Sequence, residues 1–522
     1  MKSDKFQMDN KASNKRIVKN TLFLYLRSTI ILFVSLYTSR ILLSALGQAD
    51  FGLNNVVAGF VTMFSFLNAS MINSIQRFLS NALGKDDRLL FNKIFQCSLT
   101  IQLLLSLLFL LLGETIGLWF VTTKLNIPPG REQAALYVYQ FAVLSFVFKI
   151  FLAPFSSVII SKEKMNFFSI QGIIEAFLLL LICFIVKYSS SDRLVLYASL
   201  LSLSAFCILF MNAIYVMKKW KELSLKPIWD KDIVTVMASF SGWNLFGSFS
   251  SIAKSQGINI VLNLFFDVVV NAARGISMQV LNGVNSLIYN FQTAFQPQLM
   301  QSYAEGDMER YRFITFYGSK ISFFIMWLLA LPIILSIDSI LNLWLGASNV
   351  PAYTAEFTII VLLTGLVETF ASPIAMAVYA HGNIKWFQIV VSTVKILVIP
   401  CAYIICLFYN NPSYALLVSL CLEIIAQSIR LIMWKRLVDI SIRFYLKTVI
   451  LPTVSVAVIS FIICYFINKQ INCDGLVEII LAVVISWFII IGSVVLIGLS
   501  KSERVQLMTF LSSKLKKNRN NN

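Results

Sequence analysis

Asn271, Arg274, Met278, Asn282, Asn285, Tyr289, Gln292 and Gln296 follow one another at intervals of three and four residues. That spacing places them on one face of an α-helix. Carboxamides bind hydroxyl-rich ligands through paired donors and acceptors, and a guanidinium holds phosphate or carboxylate with a planar two-donor fork. Short stripes of Ser, Asn and Gln commonly join membrane helices to one another. A stripe of eight that includes an arginine points instead to a water-filled lumen. Similar patterns occur at Asn244, Ser248, Ser251, Ser255, Asn259 and Asn263, with Lys254 beside them, and at Thr62, Ser65, Ala69, Asn73, Gln76 and Ser80. A sparser one joins Ser28, Ser35 and Ser39 with Arg27 and Arg40.

Nine basic residues fall inside apolar runs, where a central cation costs roughly 2.5–3.5 kcal/mol on insertion scales, so each needs a reason. Arg40, Arg77 and Lys320 lie near the ends of their runs and have the option of snorkelling to the interface. Lys149, Lys395 and Arg430 are expected to pair with Glu175, Glu368 and Glu423, the last pair on one face of a single helix. Arg27, Lys254 and Arg274 lie deeper, on the striped helices, with no acidic partner in their own helix. An anionic substrate explains them best. The expected substrate-binding set is therefore Arg27, Lys254 and Arg274, with Arg40, Arg77, Asn73, Asn282, Asn285 and Gln292 around them; no catalytic or metal-ligating residue and no cofactor is expected.

The elements that must position these groups follow from composition. Of 522 residues 58% are hydrophobic and 13% charged, with a mean hydropathy of +0.78. Soluble domains carry about 25% charge, so the chain reads as an all-α polytopic membrane protein. Apolar runs delimit fourteen expected transmembrane helices: 20–44, 51–82, 91–119, 132–160, 166–187, 193–217, 232–265, 268–301, 311–337, 353–381, 384–408, 413–434, 446–467 and 476–499. The first is expected to be a retained helix and not a cleaved signal. Twenty-nine of the 43 basic residues fall in connections on one side and five on the other, which predicts cytoplasmic termini by the positive-inside rule. The net charge of +18 therefore reports topology, and nucleic acid is excluded as a partner. Cys97, Cys183, Cys207, Cys401, Cys406, Cys421 and Cys464 sit in apolar runs and read as small core residues; Cys473 lies in an outer loop. His381 reads as a loop residue, and Asp86-Asp87 and Asp230-x-Asp232 as solvated loop charges. No Walker-type phosphate loop is present.

Gln76-x3-Ser80-x-Ala82-x-Gly84 recurs as Gln298-x3-Ser302-x-Ala304-x-Gly306, Leu118-Trp119 as Leu343-Trp344, and Pro154 with Phe168 as Pro373 with Phe387. The offsets are nearly constant, which predicts a six-plus-six helix duplication, and an even number per unit makes the repeats parallel. The expected architecture is two six-helix lobes related by a parallel pseudo-two-fold repeat, residues 1–220 and 221–440, followed by two extra C-terminal helices and a basic tail, 441–522.

Ser39-Arg40-Ile41-Leu42 through Leu46-Gly47-x2-Asp50-Phe51-Gly52, the Asn73–Gly84 segment with the Gly84-Lys85-Asp86-Asp87 loop, and Asn342-Leu343-Trp344-Leu345-Gly346 resemble bacterial oligosaccharide flippases. These form the polysaccharide-transporter branch of the multidrug/oligosaccharidyl-lipid/polysaccharide (MOP) superfamily. The likeness covers the whole fourteen-helix layout; the arginine spacing differs from that of the lipid II flippase. The resemblance implies a non-enzymatic transporter of the bacterial inner membrane that flips an undecaprenyl-diphosphate-linked oligosaccharide by alternating access, with helices 1, 2, 7 and 8 around a cationic cavity. It implies that helices 13 and 14 guide the lipid tail. The expected partners are that lipid-linked oligosaccharide, the phospholipid bilayer, a coupling cation (H+ or Na+) and a polysaccharide polymerase or assembly machinery. A cation-coupled multidrug exporter of the same superfamily is the second reading, for which the lumen should be acidic. A membrane polymerase or glycosyltransferase is the third, for which longer outer loops are expected.

Overall fold

The computed structural model describes residues 2–162, 164–381, 385–438, 440–470, 475–500 and 503–504. Cys473 and most of the basic tail lie outside them. In chain order the helices are α1 (Lys2–Thr62), α2 (Ser65–Gly84), α3 (Arg88–Leu112), α4 (Leu118–Thr123), α5 (Glu132–Ser161), α6 (Met165–Tyr188), α7 (Arg193–Lys219), α8 (Lys231–Phe265) and α9 (Val268–Ala304). They continue as α10 (Met308–Leu335), α11 (Ile337–Leu345), α12 (Thr354–Glu368), α13 (Ala371–His381), α14 (Lys385–Phe408), α15 (Ser413–Val438), α16 (Ile442–Tyr445), α17 (Leu451–Asn468) and α18 (Leu476–Ser493). The described residues contain no strand. The all-α polytopic architecture is as the composition requires.

Among the described residues, eleven helices are apolar and long enough to cross a membrane. The expected spans missing from that set run through α2, α8 and α9, which carry the polar stripes. With 35 and 37 residues, α8 and α9 reach ~50 Å at 1.5 Å per residue, so length does not disqualify them; polarity does.

The first two expected helices do not have a loop between them. They join at Gly47, whose φ of 77° and ψ of 173° interrupt helical geometry for one residue, a conformation that is cheap only without a Cβ. The second expected helix breaks at Met63–Phe64, and the tenth at Thr369–Phe370. Proline explains the latter: Pro373 has no N–H for the carbonyl of Thr369. Buried Gln292 supplies a substitute, its Nε2 donating to that oxygen at 3.4 Å and to Ser322 Oγ at 3.1 Å. Pro332 in α10 likewise frees the carbonyl of Leu328, and the Trp487 indole donates to it at 3.0 Å. In hydrocarbon such replacements are what make an interior proline tolerable.

The chain divides into two compact units, Met1–Gln279 with Asn349–Thr354 and Gln388–Ser419, and Val280–Ser348 with Ala355–Phe387 and Leu420–Asn522. The boundary falls inside α9. In the first unit, α1 packs on α6 and α5 on α7, around cores that include Phe109, Tyr139, Val143 and Phe146 in one cluster and Ile75, Phe95 and Val158 in another. Across the opening of this unit's α5 and α7, Arg131 grips Asp50 (Nη2–Oδ2 2.6 Å) and Asp192 (Nη1–Oδ2 2.7 Å). In the second unit, α17 and α18 pack on each other and on α10. Trp327 Nε1 donates to Ser460 Oγ at 2.8 Å, and Lys320 Nζ bonds Glu503 at 2.8 and 3.0 Å.

The repeated sequence motif folds the same way twice. Asp87 N–H bonds Ala82 O at 3.0 Å and Asp307 N–H bonds Ser302 O at 3.0 Å. Each aspartate then caps the next helix, accepting from Leu90 N at 2.8 Å and Arg310 N at 2.9 Å. The left-handed residue of the turn is Asp86 in one copy and Gly306 in the other (φ 54° and 76°). Gly306 thus corresponds to Asp86, two residues beyond the Gly84 with which the sequence motif pairs it.

Candidate functional site

Of the expected site residues, Arg274 is 4% exposed and Lys254 9% exposed. Arg274 Nη2 donates to the carbonyl of Ser255 at 3.2 Å, so it meets α8 at the residue next to Lys254. Its Nε is buried without a hydrogen-bond partner among the described residues. One turn earlier, Asn271 Nδ2 donates to Asn259 O at 2.8 Å while its own oxygen is unsatisfied. This part of the first unit therefore holds unspent polar capacity beside a cation, with the α8–α9 polar faces packed together.

Arg27 goes elsewhere. Its guanidinium carbon lies 4.4 Å from the centre of the Phe168 ring, and it rests on Gly172, where any Cβ would collide with it. Phe168, Gly172 and Glu175 share one face of α6, and Glu175 is the carboxylate whose charge acts on Arg27. Gly172 and Glu175 also line a cavity of about 460 Å³ enclosed by α1, α5, α6 and α7, into whose lining Lys149, Ser35, Ser145 and Ser204 also enter. Two cations around one carboxylate give this region a net positive formal charge. Lys149 and Glu175 read from sequence as a structural pair; the cavity adds that both are accessible to a small ligand. A single charge in each of two apolar runs was the signal for them, and the cavity itself has none.

The remaining residues are dispersed. Arg40, Arg77 and Asn282 are exposed and Asn285 half-buried; the side chain of Asn73 lies outside those described, as do those of Asn244 and Gln296. Gln292 is 5% exposed and spends its amide on the Pro373 kink. The stripe on α9 is therefore not uniform: Asn271, Arg274 and Gln292 are buried, whereas Asn282 and Tyr289 between them are exposed. On α8, Asn263 locks the connection before α5, accepting from Asn126 N at 2.9 Å and donating to Asn126 O at 3.2 Å.

The other expectations divide. Lys320 does not snorkel; at 2% exposure it is paired with Glu503, whose carboxyl is desolvated yet held below the ordinary range by hydrogen bonds from Lys320 and Ser500 N–H. Arg430 pairs with Glu423 at 2.8 Å as the spacing predicted. Lys395 donates to Ser251 Oγ at 3.1 Å. Cys207 and Cys421 are exposed on helix surfaces, not in the core, and Cys401 is intermediate. His381 ends α13 with its ring 6.0 Å from Tyr303. Among the described residues no three His, Cys, Asp or Glu side chains converge as a metal site requires.

No family model and no curated protein matches this sequence. Solved structures do. The lipid II flippase MurJ in an inward closed conformation is similar at a TM-score of 0.66 and 13% identity, covering 91% of this chain and 98% of that one. A multidrug resistance MATE family transporter of the MOP superfamily, in its inward-facing conformation, is similar at 0.56 and 13% over 80% and 94%. A MOP superfamily transporter from Pyrococcus furiosus, described as having a binding pocket of reversed polarity, gives 0.56 and 11% over 81% and 96%. This chain has the fold of the MOP-superfamily transporters.

Proposed function

We propose that this protein is a membrane transporter that flips an undecaprenyl-diphosphate-linked oligosaccharide across the bacterial inner membrane by alternating access. The observation that carries the reading is Arg274, a buried cation whose Nε has no hydrogen-bond partner among the described residues, in a chain with this fold. A diphosphate supplies the missing acceptor, since a guanidinium binds it through two parallel charge-assisted bonds. Lys254, one residue from the Arg274 contact, adds a second positive charge; Arg27, apart from this pair on the α6 face, is the third cation of the expected set. The experiment is glycan export in cells and headgroup flipping in liposomes with Arg274→Gln, Arg274→Lys and a triple neutralisation of Arg27, Lys254 and Arg274. A charged hydrogen bond is worth about 1.5–3 kcal/mol, so Arg274→Gln should reduce flipping at least about tenfold, with Lys intermediate. Full export by the triple variant overturns the reading.

A second reading, cation-coupled export of a cationic solute, is favoured by Glu175, a carboxylate lining an intramembrane cavity. It requires that Glu175→Gln abolish resistance to a cationic dye; the flippase reading requires that such dyes not be exported at all.

A further inference from the structure

Phe206 and Phe210 stand one turn apart on α7, rings nearly parallel with centroids 6.1 Å apart, and both are largely exposed. They form a ridge with a groove on each side. One groove, about 710 Å³, is walled by Cys207, Met211, Ile214 and Lys218 of α7 and by Phe167 of α6. The positions 207, 211, 214 and 218 descend one helix face. The other groove, about 340 Å³, is walled by Leu209 and Ala213 of α7, Leu99 and Leu103 of α3, and Phe155 of α5. Both grooves are otherwise apolar, and both count Phe206 and Phe210 among their walls.

Only the first ends in charge. Lys218 and Lys219 line it at the end of α7 that the charge asymmetry assigns to the cytoplasm. Lys219 is held in place there: its Nζ donates to the Tyr215 hydroxyl at 2.8 Å and sits 4.9 Å from that ring's centre. Tyr215 is itself stacked on Phe167 with centroids 3.6 Å apart. From Phe206 to Lys218 is about 18 Å along the helix at 1.5 Å per residue, close to one leaflet of a ~30 Å hydrocarbon core plus the start of its headgroup layer.

We infer that the grooves flanking Phe206 and Phe210 bind one anionic two-chain phospholipid of the cytoplasmic leaflet, one acyl chain on each side of the ridge and the headgroup phosphate on Lys218 and Lys219. Two grooves fit two chains, the ridge fits the gap between them, and the paired lysines complement a net negative headgroup. A single-chain polyprenyl phosphate would leave one groove unfilled. The site is separate from the cation set assigned above to the transported substrate and does not depend on that assignment.

The test is lipid retention by the purified full-length protein, measured by native mass spectrometry against dioleoyl-phosphatidylglycerol, dioleoyl-phosphatidylcholine and the single-chain lyso-phosphatidylglycerol. The wild type should retain one phosphatidylglycerol per chain with at least tenfold preference over phosphatidylcholine, and lyso-phosphatidylglycerol should bind at least tenfold more weakly than its two-chain parent. A lysine beside an anionic membrane surface contributes about a fivefold gain, so Lys218→Gln/Lys219→Gln should cut the headgroup preference at least about tenfold, to near parity. Cys207→Trp, at an exposed position that fills one groove, should weaken retention of both two-chain lipids while leaving helicity unchanged. Equal retention of the two headgroups by the wild type, an undiminished preference in the double lysine variant, or lyso-lipid binding equal to that of its parent overturns the proposal.

Discussion

Arg27 shows how a half-buried cation can be positioned by what is missing beside it. Gly172 leaves the space that the guanidinium occupies, and a methyl group there would displace it. Gly172→Ala should therefore reduce transport about as much as Arg27→Gln, at unchanged membrane levels; normal transport by Gly172→Ala would separate Arg27 from function. At the N-terminal ends of α5 and α7 the relevant residue is Asp192. Desolvation alone would raise its pKa, but hydrogen bonds from Arg131 and from the Val195 N–H, with the Arg131 charge, hold it below the ordinary value. The same contacts with Asp192 and Asp50 overcome desolvation of Arg131 and raise its pKa. A carboxylate whose folded-state pKa is depressed contributes stability that is present above the unfolded pKa of ~3.9 and lost as pH falls through the folded value. Asp192→Asn keeps an N-cap side chain and removes the charge. The melting-temperature gap between wild type and Asp192→Asn should be constant above about pH 5 and close as the pH drops below the ordinary carboxylate range. A gap independent of pH would assign Asp192 to capping alone.

At the scale of elements, close helix approach and proline repair set the geometry. A Cβ on Gly52 would meet the Val268 carbonyl of α9, a backbone atom that cannot swing aside. Gly52→Ala should lower stability by about 1–3 kcal/mol through overpacking, read as a drop in melting temperature of the detergent-solubilised protein; no change would mean that α1 and α9 separate without loss. Gln292 and Pro373 form a matched pair. Gln292→Leu strands the Thr369 carbonyl, at about 1–3 kcal/mol for a buried unsatisfied acceptor. Pro373→Ala restores an N–H at the position that would bond it in a regular helix, so the double variant should recover much of that loss. Additivity in this double-mutant cycle would show that the 3.4 Å contact carries no energy.

For the whole molecule, orientation is the quantity on which every inside and outside statement depends. Single cysteines at Lys124 and Ser190, both exposed, should react with a membrane-impermeant maleimide added to intact cells. Those at Lys85 and Lys221, also exposed, should react only after permeabilisation. Labelling of Lys221 from outside would invert the molecule and move the phospholipid site to the other leaflet. The second unit has its own reinforcement: α10 is tied to the C-terminal helix pair by the Trp327, Trp487 and Lys320 bonds. That places the last two helices in the packing of this unit.

Hydropathy, charge asymmetry and helical period are local properties, and what they govern was legible in the sequence: helical membrane architecture, polar α2, α8 and α9, and the Arg430–Glu423 pair on one helix face. The repeat itself was legible, but its turn was not: the sequence motif pairs Gly84 with Gly306, whereas the left-handed residues are Asp86 and Gly306 and the caps Asp87 and Asp307. Contacts between distant segments were not legible either. Asp50 and Arg131 are 81 positions apart and Lys320 and Glu503 are 183 apart, and no periodicity links them. The stripe on α9 gave an alignment but not its use, since a helix pattern says which residues align and not what faces them. Only packing decided that Arg274 bonds α8 with a donor left over, that Gln292 repairs a proline break, and that Gly47, Asp50 and Gly52 of one short motif serve a helix kink, an ion pair and a close backbone approach.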